Sequence, residues 1–177
     1  MSGFVQLYSR LAARLSFLSL ILAGMGLIAM TLIVAWTVFG RYILNDTPAW
    51  GEPVSLFLML WFILLGGAVG VRELDHMGFD VGLHYMRGGW KSALVYTNEA
   101  LVVIFGLAMF GYGAQLVAGV WGDSIPVVGI SKGWDYIPIA VGGVMVALFS
   151  IEKMLLKLSG QTLEPMPFLT AHAFGEA

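Results

Sequence analysis

"LSFLSLILAGMGLIAMTLIVAWTVF", residues 15–39, runs for 25 positions without a charge. The hydrocarbon core of a bilayer is about 30 Å thick and a helix rises about 1.5 Å per residue, so roughly 20 apolar residues cross it. This run can span with tilt to spare. Arg10 and Arg14 precede it as in a signal peptide, but the apolar part is too long and "AWTVFGRY" offers no small-residue cleavage site, so a retained helix is expected. Three further apolar runs have spanning length, at about 54–71, 100–120 and 136–151. The fold expected is an all-α integral membrane protein with four transmembrane helices and short interfacial amphipathic helices. Residues 1–158 make the membrane domain and 159–177 a cytoplasmic tail.

Composition agrees. Of 177 residues, 59% are hydrophobic and 11% charged, and the mean hydropathy is +0.86, beyond what a water-soluble domain of this size tolerates. A net charge of −2 without a block of like charge argues against nucleic-acid binding. With no cysteine, disulfides, thiolate metal sites and cysteine nucleophiles are excluded.

Lysine and arginine set the orientation. Arg10, Arg14, Arg72, Arg87, Lys91, Lys153 and Lys157 fall on one side of the four runs, and Arg41 and Lys132 on the other. The positive-inside rule places both termini in the cytoplasm and the 40–53 loop outside. Trp36, Tyr42, Trp50, Trp121, Trp134 and Tyr136 then lie near the outer ends, and Tyr85, Trp90 and Tyr96 near the inner ones, as interfacial belts require. Trp61 falls mid-helix, where packing must explain it.

Small residues let helices approach in lipid. Gly66 with Gly70, Ala114 with Ala118, and Gly143 with Ala147 are candidate close-approach pairs, within the subunit or with another chain. Between the second and third runs, Phe79, Leu83, Met86 and Trp90 recur at helical spacing, one residue ahead of Asp80, His84, Arg87 and Lys91. That pattern predicts a helix lying in the interface over about 79–92, although Gly82, Gly88 and Gly89 disfavour it by about 1 kcal/mol each.

No catalytic or cofactor chemistry is visible. The histidines, His76, His84 and His172, lie outside the spans, so a transmembrane bis-histidine haem is excluded. "RELDHMGFD", residues 72–80, has no metal-ligand spacing and reads as a solvated turn. Glu99 heads the third run and either reaches headgroups, accepts a bond from a neighbouring helix, or serves as a buried contact or relay. The spans hold no series of carboxylates, broken helix pair or inverted repeat of the kind that marks an ion-coupled carrier. No nucleophile, base and orienting group occur together, so the chain reads as no enzyme. An auxiliary subunit is the simplest reading.

The loop "GRYILNDTPAWGEP", residues 40–53, concentrates Arg41, Asp46, Glu52 and two prolines. Gly40 and Arg41 are expected to end the first helix, Thr47 to cap a short turn begun by Pro48, and Pro53 to sit in the first turn of the second helix. Arg41 and Glu52 are near enough in sequence to pair across this corner, which would contribute about 0–1 kcal/mol if exposed.

"FGRYILNDTPAWGEPVSLFLMLWFILLGGAVGVRELDHMGFDV", residues 39–81, resembles the signature region of the small membrane subunit of tripartite ATP-independent periplasmic (TRAP) transporters, the DctQ-type proteins. The matching elements are Arg41 and Tyr42; Trp50 and Glu52; Trp61 with Gly66 and Gly67; Arg72; and His76 with Asp80. "DSIPVVGISKGWDYIPIAVGG", residues 123–143, is similar to the family's approach to its fourth helix, with Tyr136, Pro138 and Gly142 in place. The likeness covers residues 10–158. One departure is Glu52-Pro53, where the family commonly has paired acids.

The resemblance implies an inner-membrane subunit of a bacterial importer. A periplasmic binding protein captures an organic anion, a large multi-span permease subunit moves it with sodium, and the small subunit supports the large one in the bilayer. No cofactor is expected in this chain, and sodium coupling belongs to the large subunit. Arg41, Tyr42, Trp50, Glu52, Trp61, Gly66, Gly70, Arg72 and His76 become candidate contacts with the large subunit or the binding protein. The competing reading is a membrane anchor or assembly subunit of a respiratory or other redox complex, against which the absence of intramembrane histidines counts.

Overall fold

The computed structural model of the chain describes residues 2–73, 89–125 and 129–160. Four helices organise these residues: α1 (Ser2–Phe39), α2 (Gly51–Glu73), α3 (Gly89–Gly119) and α4 (Gly133–Ser159). All four are long and apolar enough to cross a membrane. Each outruns its apolar stretch, because polar residues at the ends keep helical backbone once the apolar middle has nucleated it. α1 is the extreme case at 38 residues, about 57 Å at 1.5 Å per residue, nearly twice the hydrocarbon thickness.

The expected interfacial helix lies for the most part outside the described residues, as does most of the tail. Its last four residues, 89–92, instead open α3 and continue directly into the third span.

Successive helices alternate in direction, so α2 and α4 run parallel and α1 and α3 run against them. α4 is the central element. It packs on α3, α2 and, less extensively, α1, while α1 leans mainly on α2. The core gathers Ala12, Ala23, Leu65, Ala68, Met145, Val146 and Phe149, with Trp61 and Phe62 packed against it. Phe149 is fully buried. Trp61 thus finds the packing its mid-span position demands, set edge-on to Phe57 at 6.2 Å.

α3 and α4 approach closely, backbone against backbone. A Cβ added at Gly106 would stand 2.7 Å from the Gly143 carbonyl oxygen and 2.8 Å from the Ala147 nitrogen, and one at Gly113 would stand 2.8 Å from the Ala140 nitrogen. The Gly143 and Ala147 pair therefore makes a contact within the subunit. Ala114 and Ala118 are exposed instead, and Gly66 meets only Ala23, at an ordinary 3.9 Å.

Candidate functional site: a closed ion network and an open charged corner

Antiparallel packing brings the start of α1 beside the last turns of α2 and α4. There Arg72 is fully buried. Its Nε donates to Glu152 Oε2 at 2.9 Å and its Nη2 to Glu152 Oε1 at 3.0 Å, the two-pronged geometry in which a guanidinium best matches a carboxylate. Nη1 binds Glu73 Oε1. The serines of α1 complete the shell: Ser9 Oγ donates to Glu152 Oε1 at 2.8 Å, and Ser16 Oγ to Glu73 Oε1 at 3.3 Å. Tyr8 adds a bond from its hydroxyl to the Leu148 carbonyl at 2.9 Å. Three helices are tied through one guanidinium, and both carboxylates have an arginine and a serine donor.

A second pair closes the α3–α4 seam. Lys157 Nζ donates to Glu99 Oε1 at 3.0 Å, with Glu99 buried and Lys157 about a quarter exposed. Of the alternatives open to Glu99, its position matches a bond from a neighbouring helix. Lys153 is buried beside the network, so Arg72 and Lys153, which sequence counts among surface charges, face inward at the helix ends.

The opposite end is built differently. The last turn of α1 widens into a π-helical turn, Gly40–Leu44, closed by Asn45 in the left-handed region at φ 52°. The Asp46 N–H donates to the Gly40 carbonyl at 3.0 Å. Only glycine fits at position 40, because a Cβ there would stand 2.7 Å from the Asp46 carbonyl oxygen. The chain re-enters helix at Gly51, whose N–H donates to the Pro48 carbonyl at 3.1 Å. Pro53 is thus the third residue of α2, where it gives up no helical bond.

Neither the cap expected at Thr47 nor the ion pair that the sequence left open is formed at the corner. The Thr47 hydroxyl is exposed and caps nothing, because the backbone bond from Gly51 closes that turn. Arg41 and Glu52 are both exposed and form no ion pair with each other or with any other described residue. The π-helical turn and the six residues after it, before α2 begins at Gly51, separate the two. Tyr42, 78% exposed, and Trp50, 43% exposed, project outward beside them, as interfacial aromatics do.

A cleft of about 790 Å³ lies between this corner and the α3–α4 connection, lined in part by Glu52, Pro53, Asp123, Lys132 and Asp135. The described flanks of the connection are bonded to each other: Ile125 N–H donates to the Ile130 carbonyl and Lys132 N–H to the Asp123 carbonyl, both at 2.8 Å. Ser131 Oγ donates to the Trp121 carbonyl at 2.7 Å. Trp121 stands 6.4 Å from Trp134 and blocks any Cβ at Gly133.

The sequence-predicted residues are therefore divided between the two ends. Arg41, Tyr42, Trp50 and Glu52 share the corner, Trp61 and Gly66 lie in the α1–α2–α4 packing, and Gly70 is half-buried two residues before Arg72. Arg72 sits in the closed network, while His76 and Asp80 lie outside the described residues. Sequence reasoning missed Glu152 altogether, because the fourth run was taken to end at residue 151. Its signal is an acid within an apolar helix end at the depth of an unmatched arginine on α2. Among the described residues no three metal-ligating side chains converge.

The family described as the DctQ component of tripartite ATP-independent periplasmic transporters matches residues 30–160. The chain is similar to the sialic acid TRAP transporter small permease protein SiaQ of Vibrio cholerae, 25% identical over 132 residues that cover 73% of this chain and 76% of that one. It is also similar to the C4-dicarboxylate TRAP transporter small permease protein DctQ of Vibrio cholerae, 38% identical over 53 residues, 30% of this chain and 23% of that one. The family match takes in the corner, the fully buried Arg72 and the Glu152 that binds it. A four-helix membrane bundle with its ionic groups locked at one end and a charged corner at the other thus belongs to the DctQ family of TRAP transporter components, and is a transporter part rather than an enzyme.

Proposed function

We propose that this chain is the auxiliary small permease subunit of a sodium-coupled, binding-protein-dependent importer of an organic carboxylate. In this reading it supports a large multi-span permease subunit in a bacterial inner membrane. The observation that carries the reading is where the charge lies. Arg72 is closed against Glu73 and Glu152, and Glu99 against Lys157, while α1 and α3 turn Leu18, Leu22, Leu32, Leu101, Phe105 and Leu116 outward. Such a bundle has spent its intramembrane charges on its own integrity and offers apolar faces to lipid and to another membrane protein.

Substrate and sodium sites then belong to the large subunit. The substrates in the two relatives' names, sialic acid and C4-dicarboxylates, are both carboxylates, which supports that class. For orientation, setting aside the buried Arg72 and Lys153 leaves Arg10, Arg14, Arg87, Lys91 and Lys157 against Arg41 and Lys132. The bias keeps its sign, which supports cytoplasmic termini and a periplasmic corner. There the cleft beside Glu52, Asp123 and Asp135 faces a docked binding protein.

Deleting the chain should abolish sodium-dependent uptake of the carboxylate taken up by the intact system, and the tagged chain should co-purify with a much larger multi-span protein. Undiminished uptake without it would overturn the proposal.

A further inference from the structure

Between α1 and α2, at the corner end, lies a groove of about 370 Å³. Met30, Val34, Val38 and Leu56 line it with apolar surface, and Arg41 and Glu52 stand at its charged end. Its two buried or half-buried hydroxyls are turned away to the backbone. Thr37 Oγ1 donates to the Ile33 carbonyl at 2.8 Å and Ser55 Oγ to the Gly51 carbonyl at 2.7 Å. The floor is sealed where Gly51 meets Thr37 so closely that no Cβ fits.

Length and charge identify an occupant. From Met30 to Arg41 the helix rises eleven residues, about 16 Å, which is half of a hydrocarbon core of about 30 Å. The groove is one leaflet deep. At headgroup level, marked by the outward Tyr42 and Trp50, it presents one guanidinium and one carboxylate that do not satisfy each other. An anionic headgroup would use only the first. A headgroup with both a phosphodiester and a primary ammonium uses both.

We infer that this groove binds one phosphatidylethanolamine molecule, with an acyl chain along Met30, Val34, Val38 and Leu56, the phosphate on Arg41 and the ammonium on Glu52. Arginine is suited to the phosphate because its planar fork donates two parallel bonds. The ammonium, unlike a quaternary choline, keeps N–H groups for the carboxylate. This inference stands apart from the transport reading, since it concerns only the chain and the bilayer around it.

The test uses the full chain, purified in detergent, stripped of lipid and offered phosphatidylethanolamine, phosphatidylglycerol or phosphatidylcholine with identical acyl chains, with retention read by native mass spectrometry. One phosphatidylethanolamine should be retained roughly tenfold more strongly than the other two, the factor one charge-assisted bond supplies. Glu52→Gln should remove that preference, Arg41→Gln should weaken retention of all three lipids, since each carries the phosphodiester, and Leu56→Trp should fill the groove and weaken all three. Equal retention of the three by the unaltered chain, or an undiminished preference in Glu52→Gln, overturns the inference. Because the chain has no cysteine, Val34→Cys can carry a single benzophenone label in native membranes. Transfer of the label to lipid supports the assignment, and transfer only to protein overturns it.

Discussion

Glu152→Ala would leave Arg72 inside the bundle with two of its bonds gone. The arginine is 0% exposed, so water cannot replace what the carboxylate supplied, and Ser9 loses its acceptor as well. Removing one partner of a buried ion pair costs about 3–5 kcal/mol. Glu73 still touches Nη1, which holds the expected value to the lower part of that range, about 3 kcal/mol. Glu152→Gln keeps one carbonyl oxygen as an acceptor and should cost less, about 1.5–3 kcal/mol, the scale of a hydrogen bond to a charged group. The double variant Arg72→Met with Glu152→Leu removes both charges and should recover most of the loss, since replacing a buried pair by apolar residues is commonly neutral or stabilising. The assay is thermal unfolding of the detergent-purified chain followed by the fluorescence of its six tryptophans. On the soluble-domain scale of about 2–4 °C per kcal/mol for this size, Glu152→Ala should lower Tm by about 6–12 °C. A shift under about 1 °C, or a double variant no better than the sum of the single ones, would refute the reasoning, because coupling between contacting residues is what the geometry requires.

Gly106→Leu should separate α3 from α4 and cost at least the 1–3 kcal/mol of an overpacked core. Gly111→Ala, with open space around the glycine, should instead gain up to about 1 kcal/mol of helix propensity; equal effects in thermal unfolding would contradict the seam. Lys157→Ala strands the buried Glu99 and should destabilise more than Glu99→Gln, by about 1–2 kcal/mol in the same assay, a figure reduced from the buried-pair value because Lys157 is partly exposed. Arg41→Glu and Glu52→Lys should each change stability by less than about 0.5 kcal/mol and each impair uptake. Because they do not pair, the double swap should show no rescue in an uptake measurement.

The four spans were legible because a bilayer imposes length and apolarity on each helix separately, so residues 15–39 can be read without knowing what they touch. Helix pairing was legible only where small residues cluster. Gly143 and Ala147 do make a close contact, but Ala114 and Ala118 have the same spacing and face outward, and spacing alone carries no azimuth. The ion network was not legible because its members are 80 residues apart in the chain and each sits at a helix end, where a charge ordinarily means solvent. An Arg41 and Glu52 pair was open in sequence because the two flank one loop. Proximity in sequence does not fix direction, and the π-helical turn at 40–44 rotates the last residues of α1 away from a straight continuation.

The two ends of the bundle therefore answer different physical demands. At the end holding Arg72 and Glu152, the cost of burying charge is met inside the subunit by arginine forks and serine hydroxyls, and that end can stay assembled whether or not a partner is bound. At the corner, Arg41 and Glu52 are kept exposed and apart, which leaves their hydration intact until something displaces it. Charges arranged this way contribute little to folding and are free to recognise a ligand or partner. The difference explains why the corner was conspicuous in sequence while the network was hidden. A structural lock needs only residues that meet in space, whereas a recognition surface of this kind concentrates unusual residues in one short exposed loop.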